Sequence, residues 1–123
     1  MPLVELTHSF QRQLKKILRK FPRSEKGIMK EINGLHNDPH KGELYPGYGG
    51  LNVRKFRIDL PQYKISGRKA LRLIHICIVT RDKVVPLMIC QKNKSGQEQD
   101  HKRFVKEKLG EMADELAEEV RSE

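Results

Sequence analysis

Apolar residues recur every third or fourth position between Phe10 and Leu35, then alternate or run together between Val53 and Cys90, before helical spacing returns near the end. The first stretch puts Phe10, Leu14, Ile17, Leu18 and Phe21 on one helical face, with Arg12, Lys15, Lys16, Arg19 and Lys20 on the other. Thr7 or Ser9 supplies its N-cap, and a short strand over Leu3 to Leu6 precedes it. Pro22 and Arg23 turn the chain, Ser24 caps a second helix, and Ile28, Ile32 and Leu35 form its apolar stripe. Asp38-Pro39 ends that helix, because the residue before proline is pushed out of helical geometry. Two helices so closely linked predict an antiparallel hairpin.

From His40 to Gly50 the chain reads as a loop, with Gly42, Gly47, Gly49 and Gly50 free to take backbone angles closed to other residues. Its Tyr45 and Tyr48 either stack on nucleic-acid bases or pack down on a neighbouring strand. The next strand alternates cation and apolar residue, so Lys55 and Arg57 leave one face while Phe56, Ile58 and Leu60 leave the other. The strand from Ala70 to Val79 is nearly all apolar yet holds Arg72 and His75. A buried charge is costly unless something negative meets it, so Arg72 requires either a ligand phosphate or a carboxylate such as Asp59. Thr80 to Lys83 makes a hairpin turn into Val84–Cys90, where Pro86 cannot donate to a ladder and marks an open edge or a bulge.

A long helix is predicted from near Gln97, with Val105, Leu109, Met112, Leu116 and Val120 as its stripe. The order is β-α-α-β-β-β-α. It describes an α+β domain over residues 1–96, a small and largely antiparallel sheet with the helical hairpin on one face, followed by an acidic amphipathic C-terminal helix over 97–123.

Charge sharpens this picture. The chain of 123 residues has 25 Lys and Arg against 16 Asp and Glu, a net charge of +9. Six acids against Arg121 give residues 111–123 a charge of −5, so the body before them carries +14. Nucleic acid or another anionic surface is therefore the first class of partner. The acidic helix either folds over the basic sheet face with its carboxylates in place of phosphates, docks its stripe on a second copy in a homodimer, or packs on its own core. Cys77 and Cys90 read as reduced core residues of a cytosolic protein, although facing strands could bring them together. The five histidines show no metal-binding spacing, no P-loop or dinucleotide fingerprint is present, and no run has the length of a membrane span, so no metal, cofactor or membrane partner is expected.

Several segments taken in order resemble the RelE/ParE superfamily of bacterial toxin–antitoxin toxins. They are Val4-Glu5-Leu6-Thr7, Phe10 with Leu14-Lys15-Lys16 and Leu18, Asn37-Asp38-Pro39, the Gly-rich loop, Arg54-Lys55-Phe56-Arg57-Ile58, Ala70 to His75, and Val84 to Ile89. The resemblance covers about residues 3–96 and implies a cytoplasmic toxin with a cognate antitoxin. A RelE-like member would be a ribosome-dependent, metal-independent mRNA endoribonuclease, whereas a ParE-like member would inhibit gyrase. A non-catalytic basic binding module is the third reading.

By resemblance, Lys55 and Arg57 contact and activate the RNA, and Arg72 stabilises the charge of the transition state. Lys92 and Lys94 are auxiliary phosphate contacts, and Tyr48 and His101 join the nucleic-acid-binding set. Where RelE-type enzymes carry a tyrosine after the last strand, this chain has Gln97, Glu98, Gln99 and His101. His101 or His75 would replace it, or else His101 is a solvated residue at a helix start.

Overall fold

Thr7 starts the first helix as its side chain suggests: its Oγ1 accepts a hydrogen bond from the Phe10 N–H at 3.1 Å. Residues 2–91 and 97–121 are described by the computed structural model. Helices α1 (His8–Lys20) and α2 (Glu25–Asn33) pack across a sheet of β1 (Leu3–Val4), β2 (Glu43–Leu44), β3 (Val53–Ile58), β4 (Leu71–Ile78) and β5 (Lys83–Gln91). The strand order is β1-β5-β4-β3-β2, with β1 parallel to β5 and the remaining pairs antiparallel. The α+β class and the largely antiparallel sheet are those that the two periodicities predict.

The pleat divides the strands into two cores. Phe10, Leu14, Phe21, Ile28, Ile32 and Leu35 cover Ile58, Leu60, Leu71, Leu73 and Ile89 on one face. On the other, Tyr45, Val53, Ile74, Ile76, Val85, Leu87 and Met88 meet Val105, Leu109 and Leu116 of the C-terminal segment. That segment contains two helices, α3 (Gln97–Glu111) and α4 (Ala113–Arg121), where apolar spacing predicts one. Gly110 weakens the helix just before the break, and the Met112 N–H reaches back only to the Leu109 carbonyl, tightening the turn. The consequence is visible in α4, whose buried Glu119 accepts from the Val79 N–H (3.0 Å), the Thr80 N–H (2.9 Å) and the Thr80 hydroxyl (2.6 Å). Burial pushes this carboxyl up, but the donors outweigh it and hold its pKa below the usual range.

Pro86 produces the irregularity expected of it. Pairing passes from Ile74–Met88 to His75–Pro86, which leaves Leu87 as the extra residue, and Leu87 and Met88 consequently bury in the same core. β1 pairs with β5 only at Lys83 and Val84. Farther along, the Gln13 side chain accepts from the Ile89 N–H at 3.0 Å and closes part of that open edge.

The 40–50 segment is more ordered than a loop reading implies, because β2 lies within it. Gly42 makes the approach to β3 feasible: its φ is +94°, and a Cβ there would sit 2.3 Å from the Lys55 carbonyl oxygen. Cys77 and Cys90 face opposite cores and form no disulfide with each other. Among the described residues, no helix is long and apolar enough to cross a membrane.

Candidate nucleic-acid interface

β3 and β4 carry the cations of the candidate site on the face away from α1 and α2. Arg57 and Arg72 are direct cross-strand partners, and Lys55 lies two residues along the same face. Arg57 is exposed, Lys55 is half-buried, and Arg72 is only 7% exposed. Two like charges placed directly opposite each other destabilise a sheet unless an anion meets them.

The anion at Arg72 is Glu98, in the first turn of α3, rather than Asp59. Arg72 donates through Nη1 to Glu98 Oε2 at 2.7 Å and through Nη2 to Oε1 at 3.2 Å, a forked pair matched to the carboxylate plane. Burial works against the Arg72 charge, but the hydrogen bond and charge of Glu98 more than reverse this and raise its pKa. The buried Tyr45 donates its hydroxyl to Glu98 Oε1 at 2.6 Å. Burial, reinforced by that bond, pushes the Tyr45 phenol well above its ordinary pKa, so it remains a neutral donor.

Tyr45 is the centre of a cationic ring. Lys55 Nζ lies 4.9 Å from its ring centroid, the Arg72 guanidinium carbon 5.1 Å and Lys102 Nζ 5.7 Å. Beneath the ion pair, His101 is buried rather than solvated at a helix start. Its Nδ1 is 3.3 Å from Arg72 Nη1 and its Nε2 is 3.5 Å from Cys90 Sγ. A guanidinium has no acceptor, so Nδ1 accepts and the proton sits on Nε2 facing the sulfur. Tyr48 is half-buried with its ring 5.6 Å from that of Tyr45, and burial raises its pKa.

The structure therefore brings together Lys55, Arg57, Arg72, Tyr48 and His101. Lys92 and Lys94 lie outside the described residues. His75 is separated from the group because its odd position in β4 faces the opposite core, where Nε2 is 2.9 Å from the Lys41 carbonyl oxygen. Burial of the ring depresses its pKa to about 4. The sequence reading left out Glu98 and Lys102, and it placed Tyr48 in the binding set where the structure puts Tyr45 against Arg72 and Glu98. The available signal was the acidic first turn of the last helical segment, which presents carboxylates beside a basic strand. The stripe of that segment, Val105, Leu109 and Leu116, is buried on the chain's own sheet. Among the described residues, no group of three or more His, Cys, Asp or Glu is arranged to hold a metal ion.

No protein-family model matches the sequence, and no curated protein matches it closely enough to mark a relative.

Proposed function

We propose that this chain is a RelE-like toxin of a toxin–antitoxin pair, acting in the cytoplasm as a ribosome-dependent mRNA endoribonuclease. The observation that carries the reading is the direct opposition of Arg57 and Arg72 on a sheet face that also holds Lys55. Glu98 meets Arg72, which leaves Arg57 and Lys55 on the same face, an excess of cations that suits a polyanion. In the proposed reaction the RNA 2′-oxygen loses its proton and attacks the adjacent phosphorus, and the 5′-oxygen of the next nucleotide leaves and takes up a proton. The product ends in a 2′,3′-cyclic phosphate. Lys55 and Arg57 hold and activate the strand, and Arg72 neutralises the charge that grows on the phosphoryl oxygens. An acidic or amphipathic segment of the antitoxin covers the same face in the inactive pair.

One observation favours a second reading, a binding module without cleavage. Arg72 already has a forked carboxylate partner, as a purely structural ion pair would. Induced expression of wild type and Arg72→Ala in a bacterial host, with mRNA 5′ ends mapped against reading frame, separates the two. Codon-phased cuts that disappear in the variant are expected. Growth arrest without such cuts would indicate a gyrase inhibitor, and absence of both would favour the binding module.

A further inference from the structure

The Arg72 site presents more donors than a structural ion pair needs. The two terminal guanidinium nitrogens and the Tyr45 hydroxyl converge on the two oxygens of one carboxylate. Lys55 and Lys102 stand over the ring of the same tyrosine. Arg57, Arg72, Lys55 and Lys102 thus stand against Glu98 and Glu43, the cross-strand partner of Lys55, so the cluster keeps positive charge beyond what its carboxylates neutralise. A phosphodiester offers the same recognition element, two non-bridging oxygens sharing one negative charge, and a planar fork binds it as it binds a carboxylate.

We propose that Arg72 and Tyr45 form a seat for one phosphodiester of a single RNA strand, and that Glu98 is its built-in occupant in the resting protein. The proposal rests on the RNA-directed reading above and adds two residues to it. Tyr45 is a positioning donor supplied from the segment just after β2, and Glu98 is a competitor supplied by α3. The Glu98 side chain is 36% exposed, whereas Arg72 beneath it is almost covered, so the occupant is the solvent-facing partner. Release requires little of the fold. Val105 and Leu109 hold the later turns of α3 on the sheet, and only the first turn carries Glu98. An RNA strand anchored on Lys55 and Arg57 would exchange one phosphate for the Glu98 carboxylate at nearly unchanged donor geometry.

The test is the affinity of the full chain for a fluorescein-labelled oligouridine RNA, read by anisotropy over a series of salt concentrations. Glu98→Gln is expected to tighten binding by about tenfold or more, and to steepen the salt dependence by about the 0.7 expected for one additional single-strand phosphate contact. Tyr45→Phe placed on Glu98→Gln should give back much of that gain. Glu98→Ala serves as a second opening variant, and circular dichroism verifies the fold of each.

If Glu98→Gln binds no tighter while Lys55→Ala with Arg57→Ala weakens wild-type binding, RNA uses the face but not this seat. The proposal is then overturned and the functional reading survives. If no variant binds RNA at low salt, the functional reading falls and the seat falls with it. If inorganic phosphate raises the melting temperature of Glu98→Gln but RNA does not bind, the seat takes a small anion and the RNA assignment is wrong.

Discussion

The two faces of the sheet are closed by different means. Against α1 and α2 the seam is built from Phe10, Ile28, Ile32 and Leu35 on Leu71 and Leu73, and this burial depends little on salt or pH. Against α3 and α4 a smaller apolar set is supplemented by carboxylate clasps, Glu98 on Arg72 and Glu119 on the Val79–Thr80 turn. A third link joins Glu115 to Lys83, which also binds Glu5. The first cover is a structural half of the domain. The second is held by contacts that another anion or a proton can contest.

Removing apolar volume should break the first face most severely. Leu73→Ala is expected to cost about 2–5 kcal/mol in urea unfolding, with the loss spread over the whole domain. A cost below that range would mean that the hairpin seam collapses around the gap.

The exception on that face is His75, buried as a neutral ring beside Phe56, with Arg54 and His40 adding to the bias against its charge. Its folded pKa of about 4 lies below the ordinary 6.5, so the unfolded chain takes up the proton first. Stability is therefore complete above about pH 6.5 and falls as pH drops toward 4, by up to about 3 kcal/mol. His75→Phe should remove this step from pH-resolved melts. Its persistence would assign the step to other groups.

On the second face, Arg72→Ala should cost less, about 1–3 kcal/mol, because the partly exposed Glu98 regains water when its partner is lost. Hydrogen exchange is expected to rise in the first turns of α3 and to stay unchanged in α1. A uniform rise would make Arg72 a support of the whole fold.

Glu119→Gln should have the smallest effect, about 1 kcal/mol, concentrated in α4. Because the Glu119 pKa is lowered in the folded state, the clasp contributes fully above the ordinary carboxylate range and is lost as pH falls through its lower folded value. Exchange in α4 that does not depend on acid would show that the Glu119 clasp does not hold the helix.

Much of the architecture was legible because it rests on local rules. The alternation of Lys55 and Arg57 with Phe56 and Ile58 fixed the faces of β3, Thr7 was one of two candidate caps for α1, and Pro86 marked an open edge or a bulge, of which the structure has the bulge. What was hidden is non-local or depends on one weak residue. Nothing in the sequence selects Glu98 over the other acids as the partner of Arg72, since that choice is made by where α3 begins relative to β4. The burial of His101 follows from the same docking. Helical spacing continues through residues 110 to 113, so the break at Met112 was signalled only by Gly110. Tyr45 and Tyr48 look alike in a Gly-rich stretch, and only the pairing of β2 with β3 carries Tyr45 to the arginine.

Among the described residues, the parallel pairing of β1 with β5 ties the first strand to the last. During synthesis, neither Leu3 nor Val4 has a strand partner until Lys83 and Val84 have left the ribosome, and α1 has no β5 to lie against before then. The N-terminal half thus emerges with its apolar helical faces uncovered, and closure waits on contacts of long sequence separation, which form slowly. A nascent chain stalled before β5 should remain protease-sensitive and bind chaperones, while one extended past Gln91 should acquire its first core before the C-terminal helices exist.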